Sequence, residues 1–357
     1  MSRFIRERYK GFESYTPGEQ PKNMEYVKLN TNESPFPPAP AVLNVLKQAD
    51  MELLRLYPDP TGAALKEKLA SLYGVRAENV FLSNGSDDIL NFAVMAFCDG
   101  GETLVFPDIT YSFYDVIAGL HGAKFETVPL KDDMSIDPAD YCGIGKNIFI
   151  PNPNAPTGMT ITLGDIENIV KTNPDNIVLI DEAYVDFGAD SAVPFTEKYD
   201  NLIVSQTFSK SRSFAGGRLG FAIANSELID DLEKMKYSTN PYNVNRLTMR
   251  LAEVSVDEND YYMENCKKIE EIREYTVAEL EKLGFSVLPS KANFVFAKHE
   301  TASGTYIYEK LKENGVLVRH FTAERIKDYN RITIGSREQM DTLIERLKTI
   351  LGMEGTK

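Results

Sequence analysis

Hydrophobic residues follow two rhythms along this chain. Short runs rich in β-branched and aromatic residues occur at Val80–Ser83, Thr103–Phe106, Lys124–Pro129, Asn147–Pro151, Ile177–Ile180, Leu202–Ser205 and Leu219–Ala224. Between them lie longer stretches with apolar residues at helical spacing, and this alternation predicts an α/β fold. Runs such as IVLID and NIFIP carry almost no polar alternation, which is expected of strands covered by helices on both faces, so the central sheet should be mainly parallel. From about Asp257 to Leu283 the pattern changes to one long, charged helical stretch, ENDYYMENCKKIEEIREYTVAELEKLG. The segments GFSVLPS, ANFVFAK, VLVRHF and YNRITIG follow, interleaved with helices predicted at Gly304–Asn314 and Arg337–Leu351, which describes a smaller α+β domain. The first thirty residues, rich in Pro, Gly and Tyr, read as an arm. The expected organisation is therefore an arm at 1–30, a large domain at 31–256 and a small C-terminal domain at 257–357, a division in keeping with a chain too long for one hydrophobic core.

Composition narrows the chemistry. With 53 acidic against 39 basic residues the formal net charge is −14. Such a surface repels phosphate backbones and anionic membranes, so neither nucleic acid nor a membrane is an expected partner. Any anionic ligand has to be caught by local arginines. Cys98, Cys142 and Cys266 are far apart and form no CxxC, while His121, His299 and His320 share no ligand spacing. A metal site or a Ser/His/Asp triad is therefore not expected, and the cysteine usage fits a reducing compartment. No apolar stretch reaches signal-peptide or membrane-span length, the latter about 18 residues, and the expected location is the cytoplasm.

Three segments carry chemistry. In SQTFSKSRSFAGGRLG, Ser205–Gly220, a strand ends in Thr/Ser, Ser209 adjoins Lys210, and Arg218 follows in a Gly-rich turn. The hydroxyls and the guanidinium suit a phosphate and the amine suits an aldehyde, although an isolated Ser-Lys pair is far more often just a surface loop. IVLIDEAYVDF ends an apolar strand at Asp181, and the carboxyl edge of a parallel sheet is where such folds present ligand groups. An acid there can hold a protonated pyridine nitrogen and Tyr184 can bond a ring oxygen; the alternative is an Asp that caps the next helix. The turn-rich NPNAPTG, Asn152–Gly158, has an asparagine that could serve the same oxygen.

In this order and spacing, NPNAPTG, DEAY and TFSK…GGRLG resemble the fold type I pyridoxal-phosphate-dependent aminotransferases. YTPG at Tyr15, KLNTNESP at Lys28–Pro35, LYPDPTG at Leu56–Gly62, GSDD at Gly85–Asp88, VLVRH and YNRITIGSRE narrow the resemblance to the histidinol-phosphate aminotransferase family. The resemblance implies pyridoxal 5'-phosphate as cofactor, held as a Schiff base by Lys210, with Asp181 on the pyridinium and Tyr184 on the ring oxygen. Gly85, Ser86 and Asp87 open the helix SDDILNFAVMAF, whose free N–H groups suit the phosphate together with Thr207, Ser209 and Arg218. Ser86 or Asp87 could equally be a plain N-cap. Tyr111 matches the aromatic that stacks on the ring. Where the family has an asparagine before Pro-Thr-Gly this chain has Ala155, which leaves Asn154 as the nearest candidate. Arg331 matches an arginine for the substrate carboxylate and Arg319 a second anion-binding arginine, with Tyr15 and Asn32 also on the substrate.

The implied reaction converts histidinol phosphate and 2-oxoglutarate into imidazole acetol phosphate and glutamate, a step of histidine biosynthesis. The resemblance further implies a homodimer in which Tyr57 reaches the neighbour's cofactor phosphate, and the arm with Tyr15 is expected over the neighbour's pocket. Threonine-phosphate decarboxylase and aromatic amino-acid aminotransferase are alternatives of the same fold. A non-catalytic regulator of this fold would carry a basic helix-turn-helix, and none precedes Lys28; a nicotinamide enzyme would carry GxGxxG after the first strand, where FLSNGSDD stands instead.

Overall fold

Seven strands assemble side by side, and six of them are buried almost throughout, as a sheet between helices allows. In the computed structural model, which describes residues 2–11, 13–98 and 101–353, the sheet order is Val80–Ser83, Gly220–Ala224, Leu202–Thr207, Val178–Asp181, Asn147–Pro151, Thr103–Pro107 and Lys124–Val128. Gly220–Ala224 runs antiparallel to both neighbours, and the remaining pairs are parallel. The register aligns Pro151, Asp181 and Ser205 in one row at the carboxyl edge of three adjacent strands. One expectation is corrected: Lys124–Val128 is exposed along most of its length. It is an edge strand with a single neighbour, and its exposed Phe125 stacks on Phe106, centroids 5.4 Å apart.

A second, antiparallel sheet comprises Arg319–His320, Tyr329–Thr333, Phe294–His299 and Phe285–Val287. It shares a hydrophobic core with the helices Asn259–Lys282, Gly304–Glu313 and Arg337–Ile350. The long helix buries Tyr262, Cys266, Ile269, Arg273, Thr276 and Leu280, a helical stripe. Arg273 on that stripe donates to Phe187 O at 3.0 Å and Ala292 O at 2.8 Å, tying the helix to the loop after Tyr184. The arm is anchored here too. Val27–Lys28 pairs in parallel with Val316–Leu317, Leu29 is buried in the small core, and Glu19 is held by Lys312 and by Tyr308 Oη. No helix among the described residues is long and apolar enough to cross a membrane.

Candidate active site

The carboxyl edge of the parallel strands opens into a cavity of about 430 Å³. Lys210 enters it from the loop after Leu202–Thr207, with Nζ donating to Thr31 O at 3.2 Å and lying 5.8 Å from the centroid of the Tyr184 ring. Asp181 is buried on the floor, where Tyr114 Oη donates to it at 3.1 Å and Ser205 Oγ at 3.2 Å. Burial pushes its carboxyl up to about 6 against the pull of those two bonds, and the charge of Asp87 adds to the rise. A carboxyl in this setting is matched by a ligand that brings a proton or a positive charge. The Tyr184 ring stands edge-on to Phe294, and its hydroxyl accepts from Asn32 Nδ2 at 2.9 Å.

At one end of the cavity begins the helix Ser86–Phe97, and no side chain caps its first turn. Its N-terminal N–H groups and dipole are therefore open to an anion. Ser86, Asp87, Thr207, Ser209 and Arg218 line this end. Two glycines permit the approach. Gly85 has φ +90°, and a Cβ there would lie 2.6 Å from Arg218 Nη2; a Cβ on Gly220 would lie 2.5 Å from the Gly85–Ser86 peptide. Arg218 reaches Asp87 at 3.4 Å, and Tyr111 Oη donates to the other oxygen of Asp87 at 2.9 Å.

Across the cavity, Arg319 and Arg331 are direct cross-strand partners. Their hydrogen bonds go to backbone carbonyls: Arg331 Nη2 to Asn30 O at 3.2 Å and Arg319 Nη2 to Thr16 O at 3.4 Å. The Nε of Arg331 is buried and makes no hydrogen bond among the described residues. Burial, with the neighbouring charge of Arg319, holds the Arg331 guanidinium below its ordinary value. Like charges set directly opposite on neighbouring strands repel, and a shared anion converts that repulsion into binding.

Most of the residues singled out in the sequence line this one cavity: Tyr15, Asn32, Ser86, Asp87, Tyr111, Asp181, Tyr184, Thr207, Ser209, Lys210, Arg218, Arg319 and Arg331. Asn154 does not. Its Nδ2 donates to Ile109 O at 3.0 Å and Thr157 Oγ1 at 3.2 Å, and its Oδ1 accepts from Thr110 Oγ1 at 3.1 Å. The amide is spent on stitching two loops together, and Ala155 faces the cavity instead. Tyr15 corrects a second expectation, because it lies over its own chain's cavity, edge-on to Tyr111 at 6.1 Å and Phe113 at 5.9 Å. Anchoring of Glu19 on the small sheet and of Asn30 Nδ2 on Glu19 O, at 2.9 Å, draws the arm across its own subunit. Tyr57 is outside the cavity, 76% exposed and stacked on Tyr242 with centroids 4.4 Å apart.

Tyr114 and Ser205 were missed. Tyr114 carries a local signal, since it stands in the aromatic-rich DITYSFY segment with Tyr111. Ser205 had none, because strand register alone brings it to Asp181.

Fold and cavity together define the class, a fold type I aminotransferase, in which an amine, a buried acid and an anion-binding helix end converge at a sheet's carboxyl edge. The chain belongs to the aminotransferase class I and II family, whose model matches residues 24–347. Among curated relatives, the histidinol-phosphate aminotransferase of Brachyspira hyodysenteriae is 49% identical over 98% of this chain and 99% of its own length. That of a Marinomonas species is 48% identical over 98% and 100%. Among solved structures, the histidinol-phosphate aminotransferase of Sinorhizobium meliloti in complex with pyridoxal-5'-phosphate has a TM-score of 0.84 at 24% identity, covering 93% of this chain and 92% of that one. The L-threonine-O-3-phosphate decarboxylase of Porphyromonas gingivalis shares the fold at a TM-score of 0.79 and 20% identity, covering 91% and 99%. The donor set fits pyridoxal phosphate: a helix end, two hydroxyls and an arginine for its phosphate, a buried carboxyl for its ring nitrogen and a lysine for its aldehyde.

Proposed function

We propose that this chain is a pyridoxal-phosphate-dependent histidinol-phosphate aminotransferase, passing the amino group of histidinol phosphate to 2-oxoglutarate and yielding imidazole acetol phosphate and glutamate. The observation that carries the substrate assignment is the cross-strand pair Arg319 and Arg331. One partner in this exchange brings a phosphate and the other two carboxylates, and planar guanidinium forks accept either anion in turn. The relatives that align over nearly the whole chain bear this activity in their names.

When bound, pyridoxal phosphate supplies an electron-withdrawing ring conjugated to the substrate nitrogen. The remaining work falls to side chains. Lys210 would hold the cofactor through its amine, and the same amine, when free, is placed to take the proton from the substrate Cα and to carry it as an ammonium. Asp181 holds the proton on the ring nitrogen, oriented by Tyr114 and Ser205. Ser86 and Asp87, through the N–H groups of their helix end, with the Thr207 and Ser209 hydroxyls and Arg218, would bind the phosphate, Tyr111 would cover the ring face, and Tyr15 closes the substrate side.

The protein acts as a homodimer in which Tyr57 contacts the neighbour's cofactor phosphate. That reading is supported by the exposure of Tyr57 and of the adjacent Met51, Leu54 and Leu56. We divide the chain into residues 1–30, 31–256 and 257–357; the small sheet has a core of its own, which also takes in Leu29 and Phe187, while Tyr262, Phe296, Ile326 and Tyr329 pack into the core of the large sheet. We assign the enzyme to the cytoplasm, in keeping with three free cysteines.

Coupled assays with histidinol phosphate and 2-oxoglutarate test the assignment. Glutamate should form, and Arg319→Ala and Arg331→Ala should each weaken both substrates by about 2–5 kcal/mol, the cost of removing one member of a desolvated charge pair. Carbon dioxide release from threonine phosphate without glutamate formation would overturn it.

A further inference from the structure

Tyr184 has one phenolic proton, and where that proton points decides what the residue can do. Its oxygen lies 2.9 Å from Asn32 Nδ2. The orientation of that amide follows from its other contacts. The backbone N of Asn32 donates to Thr333 Oγ1 at 3.0 Å, so the Thr333 hydroxyl proton is free to donate to Asn32 Oδ1, also at 3.0 Å. The carbonyl end of the amide therefore faces Thr333 and the NH2 end faces Tyr184. An NH2 group only donates, so the Tyr184 oxygen must accept, and its own proton is left to point into the cavity. The turn that presents this amide is firmly built. Asn32 has φ +56°, a conformation asparagine tolerates, and its carbonyl accepts from Asn293 Nδ2 at 2.9 Å. The adjoining carbonyl, Thr31 O, accepts from Lys210 Nζ.

The wall beside Tyr184, where Ala155 packs in the same cluster with Phe294, makes this arrangement count. Ala155 lines the cavity and its methyl group donates nothing, and the amide of Asn154 is committed elsewhere. We infer that Asn32 is a positioning residue which, by donating to Tyr184, aims the phenolic proton at the cofactor's ring oxygen. The inference rests on the proposed function in one respect, that Tyr184 faces this oxygen.

The consequence is readable without substrate. A donor on the ring oxygen disperses its negative charge, so the oxygen holds less tightly the proton it shares with the nitrogen joining Lys210 to the cofactor. That proton then leaves at lower pH. Weakening the donor raises the pH midpoint at which the visible absorption of the holoenzyme changes.

The experiment titrates the absorption spectrum of wild-type holoenzyme, Asn32→Gly, Tyr184→Phe and the double variant. Glycine is chosen because it keeps the positive φ and removes only the amide. Asn32→Gly is expected to raise the midpoint by about half to one pH unit. Tyr184→Phe should raise it further, and the double variant should match Tyr184→Phe alone, because Asn32 acts only through the phenol. An unmoved midpoint in Asn32→Gly beside a raised one in Tyr184→Phe overturns the inference and leaves the proposed function standing. Additive shifts in the double variant overturn it as well. An unmoved midpoint in Tyr184→Phe removes the phenol from the ring oxygen, and the underlying assignment of Tyr184 falls with it.

Discussion

Adjacent carboxyls in the Asp-Glu-Ala-Tyr segment face opposite sides of the sheet and have different duties. Asp181 looks into the cavity. Glu182 is buried behind it and accepts from Ser191 Oγ and Ala192 N, both at 2.6 Å, and from Gln206 Nε2 at 2.9 Å. Burial outweighs these bonds and pushes the Glu182 carboxyl from 4.5 up to about 7. A carboxyl whose folded value lies above its unfolded one stabilises the fold while protonated, below about pH 4.5, and that contribution is lost as pH rises through 7. The apoprotein should therefore lose roughly 3 kcal/mol of stability over this window on account of Glu182. Urea unfolding of the apoprotein between pH 4.5 and 8 checks this against Glu182→Gln, which should have a flatter pH profile by that amount. Parallel profiles would mean that the carboxyl stays ionised when folded. Asp181 has the same sign between 3.8 and about 6, but a cationic ligand on the cavity floor cancels its share in the holoenzyme.

Among the elements, the junction of Gly220–Ala224 with the helix Ser86–Phe97 is the tightest constraint on the phosphate end. The antiparallel pairing of Ser83 with Gly220 brings the strand against the Gly85–Ser86 peptide, and the neighbour met by an added Cβ is backbone rather than a flexible side chain. Gly220→Ala should displace the helix start, costing about 1–3 kcal/mol of stability. It should also weaken cofactor binding, while a glycine in open space such as Gly74 tolerates alanine there far better in the latter respect. Thermal melts and cofactor titrations of the two variants make the comparison, and unchanged cofactor affinity in Gly220→Ala would separate the helix end from the phosphate. The helix itself was legible from Ser86 to Phe97, because apolar spacing and a preceding glycine are local signals. The opposed arginines were legible as separate anion ligands only, since their pairing depends on the register of Arg319–His320 against Tyr329–Thr333.

For the whole molecule, the arm and Tyr57 point to different partners. Tyr15 completes the cavity of its own chain, whereas Tyr57 stands clear of it on the turn before Pro58. If Tyr57 serves the neighbouring subunit, Tyr57→Phe should loosen the cofactor by about 1.5–3 kcal/mol without preventing dimerisation. Heterodimers of Lys210→Ala and Tyr57→Phe subunits discriminate the two geometries. Half of their sites should bind cofactor with wild-type affinity, because one site then combines Lys210 and Tyr57 from different chains. Heterodimers without any wild-type site would mean that each subunit builds its site alone.

The sequence by itself determined the α/β class, the strands and the long helices, and singled out Lys210, Asp181, Tyr184 and Arg218, which line one cavity, because periodicity, turn residues and motif spacing act over short distances along the chain. Only the tertiary structure decided which side chains meet across it. It turned Asn154 into a loop stitch, brought Ser205 and Tyr114 onto Asp181, set Arg319 against Arg331, folded Tyr15 back over its own cavity and put Asn32 on Tyr184. These contacts depend on strand register and on the docking of the small sheet, which are settled by the packing of the whole core rather than by any local run of residues.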